Sequence, residues 1–163
     1  MSQDKKTSPG GQNIIAFQGV PGAYSDLAAR KVYPEMETLP CPSFEDALEA
    51  VEKGRAGLAM IPVENSVAGR VAEIHQILPH TALHIVAEHF HRVNHQLLAP
   101  KGATIEGLKR VYSHVHALSQ CRKLIRELGL DPIISADTAG AAAEVAERGN
   151  LQEAAIASQL AGE

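Results

Sequence analysis

The strongest constraint on the fold is a repeated order of a short apolar run, a turn and an amphipathic segment. The first unit has an apolar run at residues 14–17 and a helical pattern over residues 26–32. Two further units follow, with apolar runs at residues 38–41 and 57–62. Consecutive strand–helix units need crossover connections. The chain is therefore predicted to form an α/β fold with a mainly parallel sheet and right-handed crossovers.

The rhythm breaks over residues 83–100, which read as one or two extended runs without a helix between them. Beyond residue 103 strands and helices alternate again, so the break is interpreted as a crossing between two lobes. The predicted organisation has a first α/β lobe at residues 13–88 and a second, incomplete lobe at residues 89–163. Residues 1–12 are polar and are predicted to be a disordered tail.

The stretch at residues 61–69 joins the third apolar run to an amphipathic segment. It is predicted to leave a buried strand and start a helix, and this is where open α/β sheets bind ligands. Glu64, Asn65 and Ser66 supply an acceptor, an amide and a hydroxyl at this turn, and the free N–H groups of a helix start favour an anion. The alternative is that Asn65 or Ser66 only caps the helix.

Polar side chains follow several other predicted strands. Because the carboxyl ends of parallel strands share one edge of a sheet, these side chains are expected to line a common cleft. They are Tyr24, Ser25, Ser113, His114, Gln120, Thr138 and Ser158. Each one alone is a typical helix N-cap or neighbour of one, and no nucleophile–base pair is recognisable. Together they predict a receptor for a small carboxylate.

Composition excludes some classes of protein. The net charge is −4, and three Phe, three Tyr and no Trp give neither a basic stripe nor a stacking platform, so a nucleic-acid partner is not expected. No apolar run reaches membrane-spanning length, and the first residues lack a signal-peptide core. The two cysteines, Cys41 and Cys121, are far apart in the sequence and form no C-x-x-C motif. This usage fits a protein with reduced cysteines, so a cytoplasmic location is predicted.

Two further readings remain open on the residues alone. His89, His91 and His95 share strand parity and could face one side, but no carboxylate or cysteine completes a metal-ligand spacing, so half-exposed strand histidines are expected instead. Gly19 and Gly22 have the spacing of part of a dinucleotide-binding turn, but the full glycine fingerprint is absent.

Six motifs in order resemble the catalytic domain of prephenate dehydratase, over residues 14–163. They are Gly19-Val-Pro-Gly-Ala-Tyr-Ser25, Ile61-Pro-Val-Glu-Asn-Ser-Val-Ala-Gly69, His95-Gln-Leu-Leu98, Val111-Tyr-Ser-His114 through Gln120-Cys121, Thr138-Ala139, and Ala154-Ala-Ile-Ala-Ser158. One such motif alone would be weak, whereas the ordered series is specific.

The resemblance implies a two-lobed fold of the periplasmic-binding-protein type (type II) with a cleft between the lobes. It implies a carbon–oxygen lyase that needs no cofactor and converts prephenate to phenylpyruvate for phenylalanine biosynthesis. It also implies a homodimer or homotetramer. A regulatory ACT domain that senses L-phenylalanine as an allosteric effector usually follows in the family, and this sequence contains none.

The resemblance also assigns roles to residues. It implies that the catalytic group contains Glu64, Asn65, Ser113 and Gln120. It implies that substrate contacts come from Ser25, Asn65, Ser66, His114, Thr138 and Ser158, with His114 either an acid or a hydrogen-bonding group at a helix start. Prephenate is a dianion, so hydroxyls, amides and helix N-termini suit its two carboxylates.

Two departures from the family pattern affect the expected activity. His116 stands where the family usually has Gln. The Thr-Arg-Phe motif, whose threonine is thought to be the acid, occurs nowhere in the sequence. The chain is therefore expected to be a truncated dehydratase with little or no activity on its own. The alternative is a non-catalytic module of the periplasmic-binding-protein type that binds a small carboxylate.

Overall fold

The computed structural model describes residues 11–163, and the predicted tail falls almost wholly outside them. The first half of this region forms a three-stranded parallel sheet in the order β2-β1-β3. Its strands and helices are β1 (Ile14–Gln18), α1 (Tyr24–Val32), β2 (Glu37–Cys41), α2 (Phe44–Glu52) and β3 (Leu58–Met60). The predicted α/β units and their parallel pairing are confirmed.

The core of the first sheet is the middle of β1. Ile15, Ala16 and Phe17 are buried, and Ala16 packs in a cluster with Cys41 and Ala47. Ser43 caps the start of helix α2, because its Oγ accepts from the Asp46 N–H at 3.1 Å. Burial of this apolar strand between covering helices is what makes a parallel arrangement stable.

The second sheet has four strands in the order β6-β9-β7-β8. Strand β6 is antiparallel to β9, whereas β7 is parallel to both β8 and β9. Its elements are β6 (Gln96–Leu98), β7 (Arg110–Ser113), α4 (Val115–Gln120), α5 (Arg122–Glu127), β8 (Asp131–Ile134), α6 (Thr138–Arg148) and β9 (Glu153–Ala157). All five residues of β9 are buried, so this strand is the centre of the second sheet.

The stretch at residues 61–69 differs from its prediction. It forms a two-residue hairpin of β4 (Glu64–Asn65) and β5 (Gly69–Arg70), and helix α3 (Ala72–Ile77) begins only afterwards. The local cause is a turn in which Asn65 Oδ1 accepts from the N–H groups of Val67 and Ala68, both at 2.9 Å. The predicted helix start at Asn65 and Ser66 is therefore wrong.

Other boundaries shift by smaller amounts. The helical stretch after β7 is divided at Cys121 into α4 and α5. Gly129 follows α5 with φ 65°, a left-handed conformation that is typical of a glycine at the end of a helix. Ser158 was predicted to begin a helix, and a short 3₁₀ turn at Leu160–Gly162 stands there instead.

The segment between the two sheets runs from a 3₁₀ turn at Leu78–His80 to β6. Residues 84–91, predicted as an extended run, form neither helix nor strand. Three of their large apolar side chains are exposed, namely Ile85, Val86 and Phe90. Within residues 11–163, none of the helices has the length and apolar character that crossing a membrane would need.

Candidate functional site

The strand ends of the two sheets meet directly. Ser158 follows the carboxyl end of β9 and Gly22 lies in the loop after β1. Ser158 Oγ donates a hydrogen bond of 2.6 Å to the Gly22 carbonyl, and both residues are buried. Ser158 Oγ also accepts from the Ala161 N–H at 3.1 Å. The carboxyl edges of the sheets are therefore joined at the place where α/β proteins bind ligands.

The loop after β1 keeps its conformation partly through a hydrogen bond to the buried carboxylate of Asp26. Asp26 is fully buried, and one of its oxygens accepts from the Gly22 N–H at 3.0 Å. Its other oxygen accepts from Arg30 Nε at 2.8 Å. Gly22 has φ 89°, and a Cβ there would lie 2.8 Å from Ala161 Cα. The loop thus needs glycine both for its backbone and for the close approach of the second sheet.

A second link between the sheets is a chain of three side chains. The Tyr24 hydroxyl, at the start of α1, lies 2.8 Å from His95 Nδ1 and 3.2 Å from the Asn94 carbonyl oxygen. His95 Nε2 lies 3.1 Å from Gln120 Oε1 at the end of α4. Burial, and to a smaller extent Cys121, raises the pKa of Tyr24, so its phenol stays protonated.

Tyr24 was predicted only as one of the polar strand exits, and His95 was not predicted as a site residue. His95 precedes β6, and Gln96 pairs with Ala157 at the end of β9. The antiparallel direction of β6 therefore brings the start of this strand to the carboxyl edge of the sheet. The apolar pattern of a strand does not reveal whether the strand runs parallel or antiparallel to its neighbour. The motif that contains His95 was nevertheless part of the family resemblance.

The predicted residues of the hairpin after β3 have different environments. Asn65 is half-buried and uses Oδ1 for its own turn, which leaves its NH₂ group as a donor. Glu64 and Ser66 are exposed. The hairpin can therefore offer an amide donor and a hydroxyl, but the helix N-terminus expected beside them is absent from residues 61–69.

Ser113, predicted as catalytic, is fully buried at the end of β7. Its hydroxyl donates a 2.5 Å hydrogen bond to the Ile156 carbonyl. This bond ties β7 to β9 beyond the last paired residues of the two strands. In this structure the Ser113 proton is used inside the sheet, and only the oxygen lone pairs remain as acceptors.

His114 caps helix α4, with Nδ1 accepting from the His116 N–H at 3.4 Å. His114 therefore stands at a helix start, which is one of the two roles that the resemblance leaves open for it. Burial and the neighbouring His116 lower the pKa of His114, although Asp137 acts in the opposite direction. The imidazole is consequently neutral at pH 7, which suits an acceptor better than an acid.

The remaining predicted residues lie at helix starts. Ser25 and Thr138 are half-buried in the first turns of α1 and α6. The cap of α6 is Asp137, whose Oδ1 accepts from the Gly140 N–H at 2.6 Å. Gln120 is exposed and joined to His95. Two links therefore join the sheets: Gln120 is connected to Tyr24 through His95, and Ser158 is bonded to Gly22. Asn65 and Ser113, by contrast, form hydrogen bonds within their own sheets.

Metal chemistry has no candidate donor set in the described part of the chain. Among residues 11–163 there is no group of three or more His, Cys, Asp or Glu side chains placed to hold an ion. The groups at the strand ends are hydroxyls, amides and imidazoles. Such groups can donate hydrogen bonds to carboxylates and orient a small polar ligand.

Comparisons with known proteins point to one family. A family model described as prephenate dehydratase matches residues 15–163. The bifunctional N-acyl-homoserine lactone acylase/prephenate dehydratase of Komagataeibacter europaeus is 53% identical over 153 residues, which are 94% of this chain and 54% of that protein. Arogenate dehydratase/prephenate dehydratase 2 of Arabidopsis thaliana, a chloroplastic protein, is 43% identical over 157 residues, which are 96% of this chain and 41% of that protein.

A solved structure agrees with these relatives. The prephenate dehydratase of Arthrobacter aurescens in complex with L-Phe has a TM-score of 0.83 and 30% identity. The match covers 91% of this chain and 50% of that one. The chain therefore spans about half the length of the curated relatives and of this structure.

Proposed function

Because the chain belongs to the prephenate dehydratase family, we propose that it contributes the substrate cleft for the decarboxylating dehydration of prephenate to phenylpyruvate in phenylalanine biosynthesis. The observation that carries the proposal is the meeting of the two sheets at their carboxyl edges, through Ser158 with Gly22 and Tyr24 with His95. A ligand held there is reached by donors from both sheets, as a dianion requires.

The proposed architecture is the two-lobed periplasmic-binding-protein type with a cleft between the lobes. The first lobe takes residues 13–88 and the second takes residues 89–163. Support comes from the separate hydrophobic clusters of the two sheets and from the unpaired segment between them. The carboxyl ends of β1 and β9, which are joined by the hydrogen bond from Ser158 to Gly22, then form the base of the cleft.

The reaction breaks the bond between the ring carbon and its hydroxyl while a ring carboxylate leaves as carbon dioxide. The electron pair of the departing carboxylate completes the aromatic ring, and a proton on the hydroxyl lets it leave as water. The proposed donors to the substrate are the NH₂ groups of Asn65 and Gln120 and the hydroxyls of Ser25, Ser66 and Thr138. These groups orient the substrate and hold its charge, and a separate acid supplies the proton.

Three of the remaining assigned residues have narrower proposed roles. Glu64 lies beside the hairpin turn and accepts a hydrogen bond from the substrate hydroxyl. Ser113 and Ser158 keep the strand ends in place through their bonds to Ile156 and Gly22. Since no Thr-Arg-Phe sequence occurs in the 163 residues, we propose that this chain alone turns prephenate over poorly.

The proposal also covers the regulation of the enzyme by L-phenylalanine and its oligomeric state. The relative from Arthrobacter aurescens binds L-Phe, which supports L-phenylalanine as an effector acting through the part of the relatives that this chain does not match. A homodimer or homotetramer and a cytoplasmic location stay predictions.

The test is phenylpyruvate formation from prephenate by two proteins. One is the 163-residue chain, and the other is a chimera in which the unmatched C-terminal part of the Komagataeibacter europaeus relative follows residue 163. We expect turnover by the chimera and little by the chain. Arogenate is assayed in parallel, because several relatives carry that substrate in their names. A chimera that folds but consumes neither substrate contradicts the proposal.

A second candidate activity is hydrolysis of N-acyl-homoserine lactones. The observation that favours it is the 53% identity to a bifunctional acylase/dehydratase. The measurement is release of homoserine lactone and a fatty acid from an N-acyl-homoserine lactone, followed by mass spectrometry on the same two proteins. Release by the chimera at a rate above a heat-denatured control supports the second activity, and its absence rejects it.

A further inference from the structure

We propose that His95 is a positioning residue that fixes the side-chain amide of Gln120, so that the NH₂ group and not the oxygen is presented at the carboxyl edge of the second sheet. The inference rests on the proposed function only for the identity of the ligand, an oxygen-rich anion. The orientation itself follows from contacts within the chain.

The contacts define a line of three groups from the first sheet to the second. Tyr24 O–H is 2.8 Å from His95 Nδ1, and His95 Nε2 is 3.1 Å from Gln120 Oε1. Tyr24 and His95 are half-buried, whereas Gln120 is exposed. The rings of Tyr24 and His95 meet edge to face with centroids 5.6 Å apart, which restricts rotation of the imidazole.

The hydrogen-bonding capacities of the three groups determine where the protons lie. An amide oxygen only accepts, so His95 Nε2 must carry a proton to pair with Gln120 Oε1. In a neutral imidazole Nδ1 is then an acceptor. The Tyr24 hydroxyl has two acceptors in reach, the Asn94 carbonyl oxygen at 3.2 Å and His95 Nδ1 at 2.8 Å, and the shorter contact assigns its proton to His95 Nδ1. The raised pKa of Tyr24 is consistent with a phenol that stays protonated.

The consequence for Gln120 is a fixed orientation of its side-chain amide. With Oε1 engaged by His95, the NH₂ group points away from the imidazole and remains free to donate. A free glutamine would turn its amide over at little cost and offer either end. A fixed donor attracts a carboxylate or hydroxyl oxygen, which pre-organises the edge for an anion.

The primary test reads the imidazole directly by ¹⁵N NMR of the 163-residue chain. We expect His95 at pH 8 to be the tautomer with a proton on Nε2. We expect Gln120→Ala to move the Nε2 resonance and Tyr24→Phe to move the Nδ1 resonance, while Tyr33→Phe, at the end of α1, moves neither. A proton mainly on Nδ1, or a ring averaged between the two tautomers, overturns the proposal.

A second test asks whether His95 acts through Gln120. In the chimera with the Komagataeibacter europaeus C-terminal part, His95→Ala is expected to lower kcat/KM about ten-fold, as loss of one well-placed hydrogen bond does. His95→Gln keeps a donor near the Nε2 position and is expected to recover most of that loss. The control His84→Ala removes an exposed histidine of the connecting segment.

The double variant separates positioning from general stabilisation. If His95 works through Gln120, adding His95→Ala to Gln120→Ala causes no further loss of kcat/KM. If the fold-losses in kcat/KM of the two single variants multiply in the double variant, the two residues act independently and the proposal is overturned. Failure of the chimera to consume prephenate would contradict the proposed function, and the NMR result would still decide the orientation of Gln120.

Discussion

Ser158 Oγ donates a 2.6 Å hydrogen bond to the carbonyl of Gly22, although 136 positions of sequence separate the two residues. The bond is buried and connects the end of β9 to the loop after β1. Asp26 holds the N–H of the same glycine. Both backbone polar groups of Gly22 are thus satisfied, the N–H by Asp26 of α1 and the carbonyl by Ser158 after β9, so Gly22 connects the strand-end edges of the two sheets.

Replacement of Gly22 by alanine should destabilise the protein more than a positive φ alone explains. Gly102→Ala is the matched control, because Gly102 has φ 99° and nothing within 4 Å of an added Cβ. We expect the control to cost about 1–2 kcal/mol of backbone strain. Gly22→Ala should cost a further ~1–3 kcal/mol, because the added Cβ meets the Ala161 backbone. Urea unfolding of both variants measures the difference, and equal losses would show that the sheets do not meet here.

Removal of the Ser158 hydroxyl should leave two backbone groups without their partner. In Ser158→Ala the Gly22 carbonyl and the Ala161 N–H lose a hydrogen bond, and we expect a loss of about 1–3 kcal/mol in the free energy of unfolding. Ser119→Ala, at an exposed position of α4, is the control and should change stability by less than ~0.5 kcal/mol. Similar denaturation midpoints for the two variants would argue against the contact.

The two functional groups of Asn65 should be separable by substitution. Asn65→Asp keeps an acceptor for the N–H groups of Val67 and Ala68, so the turn should survive. It also replaces the NH₂ donor by a negative charge, which should raise the KM of the chimera for prephenate ten-fold or more. Asn65→Ala loses the turn as well and should be the less stable variant. An unchanged KM in Asn65→Asp would remove Asn65 from the substrate site.

Stability should fall on mild acidification because of His114. Burial and His116 lower its pKa from the ordinary value of about 6.5, so the unfolded state binds more protons at pH 5–6. The contribution is present above about pH 6.5 and is lost as the pH falls toward the folded pKa. His114→Asn keeps a capping acceptor without titrating. Its free energy of unfolding should decline less between pH 7.5 and 5.5 than that of the wild type, and an equal decline would contradict the assignment.

Strands and helix ends in both sheets have signals that are local in the sequence. The apolar run of β1, the capping pair Ser43 and Asp46, and the glycine after α5 each act within a few residues. The histidine cap of α4 was also recognisable from its position after a strand. In these places the chemistry of neighbouring residues determines the backbone.

The hairpin after β3 was missed because its residues satisfy two local rules at once. An Asn followed by Ser suits either a helix N-cap or a side-chain-supported turn, and pairing of β4 with β5 selects the turn. Gly69, with φ 83°, permits that pairing. The links from Gly22 to Ser158 and from Tyr24 to His95 depend on how the two sheets pack, and no sequence period encodes that packing.

The most direct test of the account is phenylpyruvate formation from prephenate by the chimera, compared with its Gln120→Ala and Ser119→Ala variants. The account predicts turnover by the chimera and by Ser119→Ala, and a loss of ten-fold or more in kcat/KM for Gln120→Ala. Equal turnover by all three proteins would place the reaction away from the edge where the two sheets meet, and would contradict the site.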